Sequence, residues 1–384
     1  MKIAFVPSTF LPLIGGAEIQ AHNLANKLTE KNISVDLWNL ENINIKNAKY
    51  KIYTLNKFII DLVYLCKYYL HIDLSFILQI YIKGIIKEKA YDVWHFHSLN
   101  FKLLLIINVL KKNNQKVIVT LQGADTQIDK EIKYGYRLDK KYDQLFLSTI
   151  KKIDILHAIS NEIKNILIKL NINENKICLI PNATNLEKIF SYSVKKDKEF
   201  TMITVARNAT FKKGYDFVED IAKILINRCE FKWKIIGRNV KKIAENNFIK
   251  KNINHFNFID EISIDENNEK YYPANELISH YKSSNIYLHL SRIESFGITM
   301  TEALASDLPI IAFDTPGANE IVKNNLNGFL IKPYDMEIYC EKIIHYFNNR
   351  NKIKIDNREF INYYSLENTS MKFITIYKSF YINN

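Results

Sequence analysis

Long apolar runs and paired cysteines are both missing from this 384-residue sequence. No stretch reaches the roughly 18 uninterrupted apolar residues of a membrane-spanning helix, and the N-terminal residues lack the apolar core of a signal peptide. The cysteines lie far apart without Cys-x-x-Cys spacing, which argues against a zinc site or a disulfide framework. They are Cys66, Cys178, Cys229 and Cys340. We therefore expect a cytoplasmic protein, either soluble or peripheral to the inner face of a membrane.

Two ligand-binding signatures are also absent. No Asp-x-Asp occurs, and the nine histidines show no metal-ligand spacing, so we expect no bound metal ion. The chain has only 10 glycines and no Gly-x-Gly-x-x-Gly, which argues against a nicotinamide or flavin oxidoreductase. Repeats with the period of solenoid proteins are not found either.

The composition is that of a folded protein with more than one core. Hydrophobic residues make up 47% and charged residues 24% of the chain, and its length favours two domains. The net charge of +12 favours anionic partners, although a bias towards Lys, Asn and Ile also raises the lysine count. The basic residues form no recognisable nucleic-acid motif, so we expect no nucleic-acid partner.

Short apolar runs alternate with segments of helical period, which predicts repeated βα units and an α/β fold with parallel sheets. We predict a first domain over residues 1–185, a linker over 186–200 and a second domain over 201–365. A helix over about 366–384 is expected to fold back onto the first domain. The predicted strands are 2–7, 35–40, 93–97, 117–121 and 155–159, then 201–206, 233–236, 256–259, 286–290, 309–313 and 329–331.

The clearest local pattern lies in residues 291–313, where a strand end, a turn and a helix precede the next strand. The turn carries Glu294 and Gly297, and the helix carries Glu302. A helix start after a strand of a doubly wound sheet offers N–H groups and a positive dipole end, which suits a diphosphate. Carboxylates accept hydrogen bonds from sugar and ribose hydroxyls. The alternative is that Glu294 caps the helix and Glu302 is solvated on the surface.

A basic segment follows the first strand of the second domain. Arg207 ends the run Val-Ala-Arg, and Lys213 lies in Lys-Lys-Gly six residues later, with Lys212 as its alternative. Fixed cations of this kind stabilise negative charge that accumulates on a departing diphosphate. A solvated basic loop is the competing interpretation.

The motifs and their order resemble those of the retaining GT-B-fold glycosyltransferases, the large family 4-like or group 1 family that builds bacterial cell-envelope and capsular glycans. Residues 294–302 are similar to its Glu-x7-Glu signature, and the basic segment is similar to its diphosphate clamp. Further matching stretches are Gly15-Gly16-Ala17-Glu18, the strand ending in His95-Phe96-His97, Ile180-Pro181-Asn182-Ala183-Thr184-Asn185, Ile235-Ile236-Gly237-Arg238 and Pro316-Gly317. Together they extend over almost the whole chain.

The resemblance implies two doubly wound Rossmann-like domains facing each other across a cleft, the first binding acceptor and the second binding donor. It implies a retaining hexosyltransferase that uses a UDP- or GDP-linked sugar, with no separate cofactor. The acceptor would be a glycan or a lipid-linked molecule in cell-envelope polysaccharide, lipopolysaccharide or glycoprotein synthesis. The implied catalytic residues are Glu294, Arg207, Lys213 and His97. The implied donor-binding residues are Gly15, Gly16, Gly237, Arg238, Ser295, Phe296, Gly297, Ile298, Thr299 and Glu302.

One departure from the family concerns the stretch Thr-Leu-Gln-Gly-Ala-Asp at residues 120–125. Gln122 stands where many members carry a histidine that contacts the sugar. An amide donates hydrogen bonds but takes up no proton, so we expect no proton transfer at this position. For His97 itself, the alternative is a histidine that only ends its strand.

Residues 46–89, which begin with Lys46 and end with Lys89, hold eight lysines against three acidic residues. A basic amphipathic helix in this segment would suit an anionic membrane surface. The alternative is a helix packed on the first domain. The apolar face of that helix is predicted to contain Leu55, Phe58, Ile59, Leu62, Cys66, Tyr69 and Leu70.

Two other classes of function compete with glycosyl transfer. A nucleotide-sugar epimerase of the same fold would bind the same donor, and only a transferase would release free nucleotide when an acceptor is added. A non-catalytic glycan- or nucleic-acid-binding protein would be supported by nucleic-acid binding that weakens steeply with salt, without affinity for a nucleotide sugar. The sequence indicates nothing about oligomeric state.

Overall fold

The computed structural model describes residues 1–208, 210–349 and 358–382. The chain forms two compact units, of which the first contains Met1–Pro181 and Thr369–Asn384 and the second contains Asn182–Asn368. In the described part of the chain, no helix combines the length and apolar character needed to cross a membrane.

The first unit is built on a seven-stranded sheet whose paired strands are all parallel. Most residues of its five central strands are buried, as expected where helices cover both faces of a sheet. The strands are β1 (Lys2–Pro7), β2 (Ser34–Asn39), β3 (Lys51–Thr54), β4 (Val93–His97), β5 (Val117–Leu121), β6 (Ile155–Ala158) and β7 (Ile177–Leu179), in the spatial order β3-β2-β1-β4-β5-β6-β7.

The helices of the first unit connect successive strands. They are α1 (Gly16–Glu30), α2 (Lys57–Leu65), α3 (Ser75–Lys89), α4 (Phe101–Lys112), α5 (Lys140–Ile150) and α6 (Asn161–Lys169). A π-helical turn, Cys66–Leu70, extends α2, and 3₁₀ turns occupy Tyr136–Leu138 and Glu174–Lys176. Several helices begin at a polar side chain that accepts a backbone N–H, as Asn100 does for α4 and Ser160 for α6.

The second unit has a six-stranded parallel sheet in the order β10-β9-β8-β11-β12-β13. Its strands are β8 (Thr201–Asn208), β9 (Lys232–Arg238), β10 (Phe256–Ile259), β11 (Ile286–His289), β12 (Ile310–Phe313) and β13 (Gly328–Ile331). Its helices are α7 (Leu186–Ser191), α8 (Phe217–Leu225), α9 (Asn247–Lys251), α10 (Asn275–Ser283), α11 (Ile298–Ala305), α12 (Pro316–Ile321), α13 (Met336–Asn349) and α14 (Arg358–Tyr363). Further 3₁₀ turns are Phe211–Lys213, Val240–Glu245 and Ile253–His255.

The interval 186–200, predicted as a linker, begins with α7 and lies within the second unit. The last helix, α15 (Leu366–Ile382), belongs to the first unit from Thr369 onwards. Phe373 and Tyr377 of this helix are fully buried, and the Tyr377 hydroxyl lies 2.6 Å from Nδ1 of His95 in β4. The C-terminal helix therefore completes the core of the first unit.

Strand order reverses once in each sheet, and these points locate the candidate ligand sites. In the first unit, β2 and β3 are added on one side of β1 and β4 to β7 on the other, so the order of the strands reverses between β1 and β4. In the second unit, the same change falls between β8 and β11. In open α/β sheets the crevice beyond the carboxyl ends of two such strands is the usual place for a ligand.

Candidate functional site

The two loops at the switch point of the second unit are in direct contact. Gly214 follows the turn Phe211–Lys213 with φ 69°, and a Cβ atom built there would lie 2.0 Å from the Leu290 carbonyl oxygen just beyond β11. The Arg292 N–H also donates to the Lys212 carbonyl at 2.9 Å. Glycine is therefore required at position 214 both by its backbone conformation and by the close approach of the loops.

Glu294 is the centre of the polar contacts in this region. Its Oε2 atom lies 2.6 Å from Nζ of Lys213, accepts from the Ser291 hydroxyl at 3.3 Å and lies 3.3 Å from Nε2 of His289. The Glu294 side chain is almost completely buried. Two predicted catalytic residues, Glu294 and Lys213, are thus brought together as an ion pair.

Burial alone would raise the pKa of Glu294, but its cationic surroundings reverse the effect. The charge of Lys213, the contact with His289 and the charge of Lys212 hold the pKa of Glu294 well below its usual range. The carboxyl is therefore an anion at neutral pH. The proposed alternative, that Glu294 caps the following helix, is not seen, because Gly297 is the N-cap of α11 and no side chain caps it.

Lys212 and Lys213 have different environments. Burial, followed by the charges of Lys213 and Arg207, lowers the pKa of Lys212 to about 7. Lys213 instead points its ammonium at Glu294. Arg207 is exposed near the end of β8 and lies close enough for its charge to act on Lys212. The structure therefore places the predicted clamp residues Arg207 and Lys213, and the alternative Lys212, around one point.

The turn that carries Ser295, Phe296 and Gly297 packs against the start of α12. The Gly317 N–H donates to the Glu294 carbonyl at 3.1 Å. A Cβ atom at Gly317 would lie 2.6 Å from that oxygen and 2.8 Å from the Phe296 nitrogen. Gly297 itself has φ 90°, in the region that favours glycine.

Helix α11 starts at Ile298, one residue after Gly297, with its amino end at the switch point. Thr299, in its first turn, accepts a hydrogen bond from the Tyr287 hydroxyl at 2.7 Å. The sequence predicts a phosphate site at this helix start, and that assignment stays a prediction.

Glu302 lies about one turn into α11 and is buried, so the alternative of a solvated surface residue is wrong. Burial raises the pKa of Glu302 to about 8, and the hydrogen bond from the Tyr281 hydroxyl to its Oε2 atom, 3.1 Å long, offsets only part of that effect. The carboxyl is therefore largely protonated at neutral pH. In that form it is both a donor and an acceptor of hydrogen bonds.

Gly237 and Arg238 end β9 next to β8. Gly237 has φ 147°, and a Cβ atom there would lie 1.9 Å from the Ala206 carbonyl oxygen. The Arg238 guanidinium donates to Oε1 of Glu261 at 2.7 Å, and Asn239 follows in the left-handed conformation with φ 63°. Both predicted residues thus lie at the carboxyl edge of the sheet, one strand away from Arg207.

In the first unit, His97 ends β4 at the switch point and is buried. Its ring lies against those of His95 and Phe5, with centroid distances of 4.2 and 4.4 Å. Burial and the charge of His157 lower the pKa of His97 to about 3, so the ring is neutral at pH 7. Neither ring nitrogen of His97 has a hydrogen-bond partner among the described residues.

The neighbouring histidine has a structural role. His95 Nε2 lies 2.7 Å from the Thr120 hydroxyl, and its other ring nitrogen contacts α15, as described above.

Gly15 is the N-cap of α1 and Gly16 its first residue. With φ −160°, Gly15 has an extended backbone that any residue adopts, so the conformation does not by itself require glycine there.

The segment around Gln122 is organised by Asp125. This buried carboxylate accepts the N–H groups of Leu99, Gln122 and Gly123 at 3.0 to 3.1 Å. Burial outweighs these bonds and raises the pKa of Asp125. Asp125 therefore shapes the loop that contains Gln122.

Sequence reasoning did not identify Arg292 as important. Its guanidinium forms a bidentate pair with Asp216, with distances of 2.7 and 2.5 Å, and donates to the Phe211 carbonyl at 2.6 Å. It also stacks on the rings of Phe211 and Phe217. Arg292 therefore fastens the loop that carries Lys213 to the loop that carries Glu294. The bidentate geometry is one that lysine does not reproduce.

No group of three or more His, Cys, Asp or Glu side chains is arranged to hold a metal ion anywhere in residues 1–208, 210–349 and 358–382.

The two sets of predicted residues lie in different units. His97, Gly15 and Gly16 belong to the first unit and all the others to the second.

Two protein-family models match the chain in succession. Residues 14–188 match the model described as Glycosyltransferase Family 4, and residues 186–364 match that described as Glycosyl transferases group 1. The matched residues include every predicted site residue.

Individual relatives agree with these matches. An uncharacterized glycosyltransferase of Methanocaldococcus jannaschii is 27% identical over 98% of each chain. The Escherichia coli UDP-Gal:alpha-D-GlcNAc-diphosphoundecaprenol alpha-1,3-galactosyltransferase is 23% identical over 71% of this chain and 70% of its own. The crystal structure of Anabaena HepE in complex with UDP-glucose has a TM-score of 0.74 at 13% identity, over 99% of this chain and 100% of HepE.

Proposed function

Because this chain belongs to the group 1 glycosyltransferases and has their GT-B fold, we propose that it is a cytoplasmic hexosyltransferase that retains the anomeric configuration of its donor. The donor is a UDP- or GDP-linked sugar, and the acceptor is a glycan or a lipid-linked molecule of cell-envelope biosynthesis. Support for this donor and acceptor comes from the E. coli relative, whose name gives UDP-Gal as donor and a diphosphoundecaprenol-linked sugar as acceptor.

One observation carries the proposal. Arg207, Lys212, Lys213 and Glu294 meet at the switch point of the second sheet, next to the start of α11. Three cationic side chains around one carboxylate leave an excess of positive character for an anionic ligand when Lys212 is protonated. A diphosphate bearing a sugar supplies that anion, and the sugar supplies hydroxyl groups for the carboxylate.

The ion pair between Lys213 and Glu294 suggests how the donor is received. On binding, the diphosphate takes up hydrogen bonds from Arg207 and the Lys213 ammonium. Glu294 then accepts from sugar hydroxyls in place of Lys213, while remaining an anion because its surroundings are cationic. Glu302, protonated and buried, donates to or accepts from ribose hydroxyls.

The chemical step breaks the bond between the anomeric carbon and the diphosphate oxygen, and negative charge develops on the departing nucleoside diphosphate. Fixed guanidinium and ammonium groups stabilise that charge without a divalent metal ion. Attack by the acceptor on the face that the diphosphate leaves retains the configuration, with the departing phosphate receiving the acceptor proton. His97, neutral at pH 7, is positioned by β4 as a hydrogen-bonding group of the first unit.

A thermal-shift screen of UDP-, GDP- and ADP-sugars tests the donor site. We expect one nucleotide class to stabilise the protein and Arg207→Ala to lose most of that stabilisation. The matched control is Arg228→Ala, because Arg228 is a partly exposed arginine of the same unit that pairs with Glu337 at 3.3 Å. Undiminished stabilisation of Arg207→Ala would show that the diphosphate binds elsewhere.

A second assay separates transfer from epimerisation and from binding alone. Release of free UDP or GDP is measured with and without a lipid-linked or glycan acceptor. A transferase releases nucleotide faster when the acceptor is present, whereas an epimerase interconverts the donor sugar without releasing nucleotide. A binding protein does neither.

A further inference from the structure

Seven large apolar side chains are exposed along α2, the π-helical turn, the loop after it and α3 in the first unit. Phe58 is 77% exposed and Ile80 is 70% exposed, values far above those of core residues. Exposed apolar surface on this scale marks an interaction site more often than chance. The members of this surface, here named the α2–α3 apolar surface, are Phe58, Leu65, Tyr69, Leu70, Ile72, Phe76 and Ile80.

The opposite sides of the same helices are firmly packed. Ile60 and Val63 of α2, and Leu78 and Ile82 of α3, are fully buried. The exposed side chains therefore belong to well-anchored helices, and their exposure does not result from loose packing. The sequence predicted one apolar face containing Leu55, Cys66 and Phe58, but Leu55 and Cys66 are buried while Phe58 is exposed.

The outer face of α3 changes from apolar to basic along its length. Phe76, Ile80, Lys83 and Lys87 recur every three or four residues, so they lie on one face of the helix. All four are exposed. The apolar half of this face continues the α2–α3 apolar surface, and the basic half borders it.

The acidic residues of this region do not neutralise the two lysines. Asp61 pairs with Lys102 at 2.5 Å, and Asp73 pairs with Lys67 at 3.2 Å. The third acid, Glu88, pairs with its neighbour Lys89 at 2.7 Å. The local charge that faces outward beside the apolar surface is therefore positive.

We propose that the α2–α3 apolar surface docks on an anionic lipid bilayer. Its apolar side chains enter the boundary between headgroups and acyl chains, and Lys83 and Lys87 bind the headgroups. This arrangement narrows the predicted membrane contact of residues 46–89 to the outer side of two helices. The proposal goes beyond the transfer reaction and does not depend on the identity of the donor.

Charge favours a bilayer over a second copy of the chain as the occupant. Each copy carries a formal net charge of +12, so two copies repel each other at long range, whereas an anionic bilayer attracts the protein. An anionic surface also satisfies both halves of the α3 face at once. A wholly apolar protein partner would leave Lys83 and Lys87 without counter-charges.

Co-sedimentation with vesicles tests the proposal. The full-length protein is mixed with vesicles of phosphatidylcholine alone or of phosphatidylcholine with about one third phosphatidylglycerol. We expect binding to the mixed vesicles that weakens with added salt, and at least about tenfold weaker binding for Phe58→Gln/Phe76→Gln/Ile80→Gln. Lys83→Gln/Lys87→Gln is expected to lose mainly the dependence on phosphatidylglycerol.

The control is Phe190→Gln/Ile253→Gln/Leu326→Gln, which removes three exposed apolar side chains from the second unit. We expect it to bind vesicles like the wild type. Donor-induced thermal stabilisation should be the same in all variants, so a failure of the transfer hypothesis is seen separately. Equal vesicle binding by the two triple variants would overturn the proposal, as would self-association of the wild type without vesicle binding.

Discussion

Replacing Glu302 by glutamine is expected to stabilise the protein at neutral pH and to leave it almost unchanged at acidic pH. Glutamine keeps the shape of the side chain and an oxygen that accepts from the Tyr281 hydroxyl. It removes the ability to ionise. The effect follows from the burial of Glu302, which disfavours its anionic form.

The pH dependence follows from the pKa values of the two states. The pKa of Glu302 is about 8 in the folded protein, against 4.5 without the perturbation. The contribution of this raised pKa to stability is fully present below pH 4.5 and is lost as the pH rises towards 8. Each pH unit in this window costs about 1.4 kcal/mol, so between pH 5 and 7 the wild type loses roughly 3 kcal/mol relative to the glutamine variant.

Thermal unfolding of both proteins at pH 5, 6, 7 and 8 measures this difference. For a unit of this size we expect the variant to gain several degrees in Tm relative to the wild type between pH 5 and 7. Glu276→Gln on the neighbouring α10 is the control, because it also replaces one glutamate by glutamine but at an exposed position of the same unit. A constant Tm difference between Glu302→Gln and the wild type would refute a protonated Glu302.

Two further predictions concern the loops at the donor site. Lys213→Met leaves Glu294 buried without its cation and is expected to lower the free energy of unfolding by about 3 kcal/mol. Adding Glu294→Gln should restore most of this loss, and urea denaturation of both variants measures it. Arg292→Lys keeps the charge but loses the bidentate contact with Asp216. We therefore expect kcat/KM for the donor to fall about tenfold. An unchanged kcat/KM would show that the two loops keep their positions without the bidentate contact.

In the first sheet, the central strands could be predicted from the sequence, whereas the two edge strands could not. The predicted strands 2–7, 93–97 and 117–121 of that sheet agree with the structure to the residue, and so does 256–259, the edge strand β10 of the second sheet. The sequence prediction missed β3 and β7, which lie at the two edges of the first sheet. Their side chains are only partly buried, because one side of each strand has no neighbour. β3 mixes polar and apolar residues, and β7 has only three residues, so neither shows the longer apolar run that identifies a doubly covered strand.

At the candidate site, the sequence predicted which loops carry the polar residues but not which side chains meet. Glu294 and Lys213 are 81 residues apart, and their ion pair exists because β8 and β11 are neighbours in the sheet. Family resemblance indicated both residues, but Asp216 and Arg292 carry no signal until strand order is known. The buried state of Glu302 likewise depends on Tyr281 in α10, which no local pattern indicates.

The ion pair between Lys213 and Glu294 also stabilises the cluster of cations at the proposed donor site. Several cations held close together repel each other, and burial together with this repulsion lowers the pKa of Lys212. Glu294 offsets part of the repulsion in the absence of donor, and burial makes its attraction for Lys213 strong. In the proposed donor complex, a diphosphate brings at least two negative charges, so it would compensate Arg207 and Lys212 and would also replace Glu294 as the partner of Lys213. Under the proposed function, the electrostatics that stabilises this cluster therefore also favours donor binding.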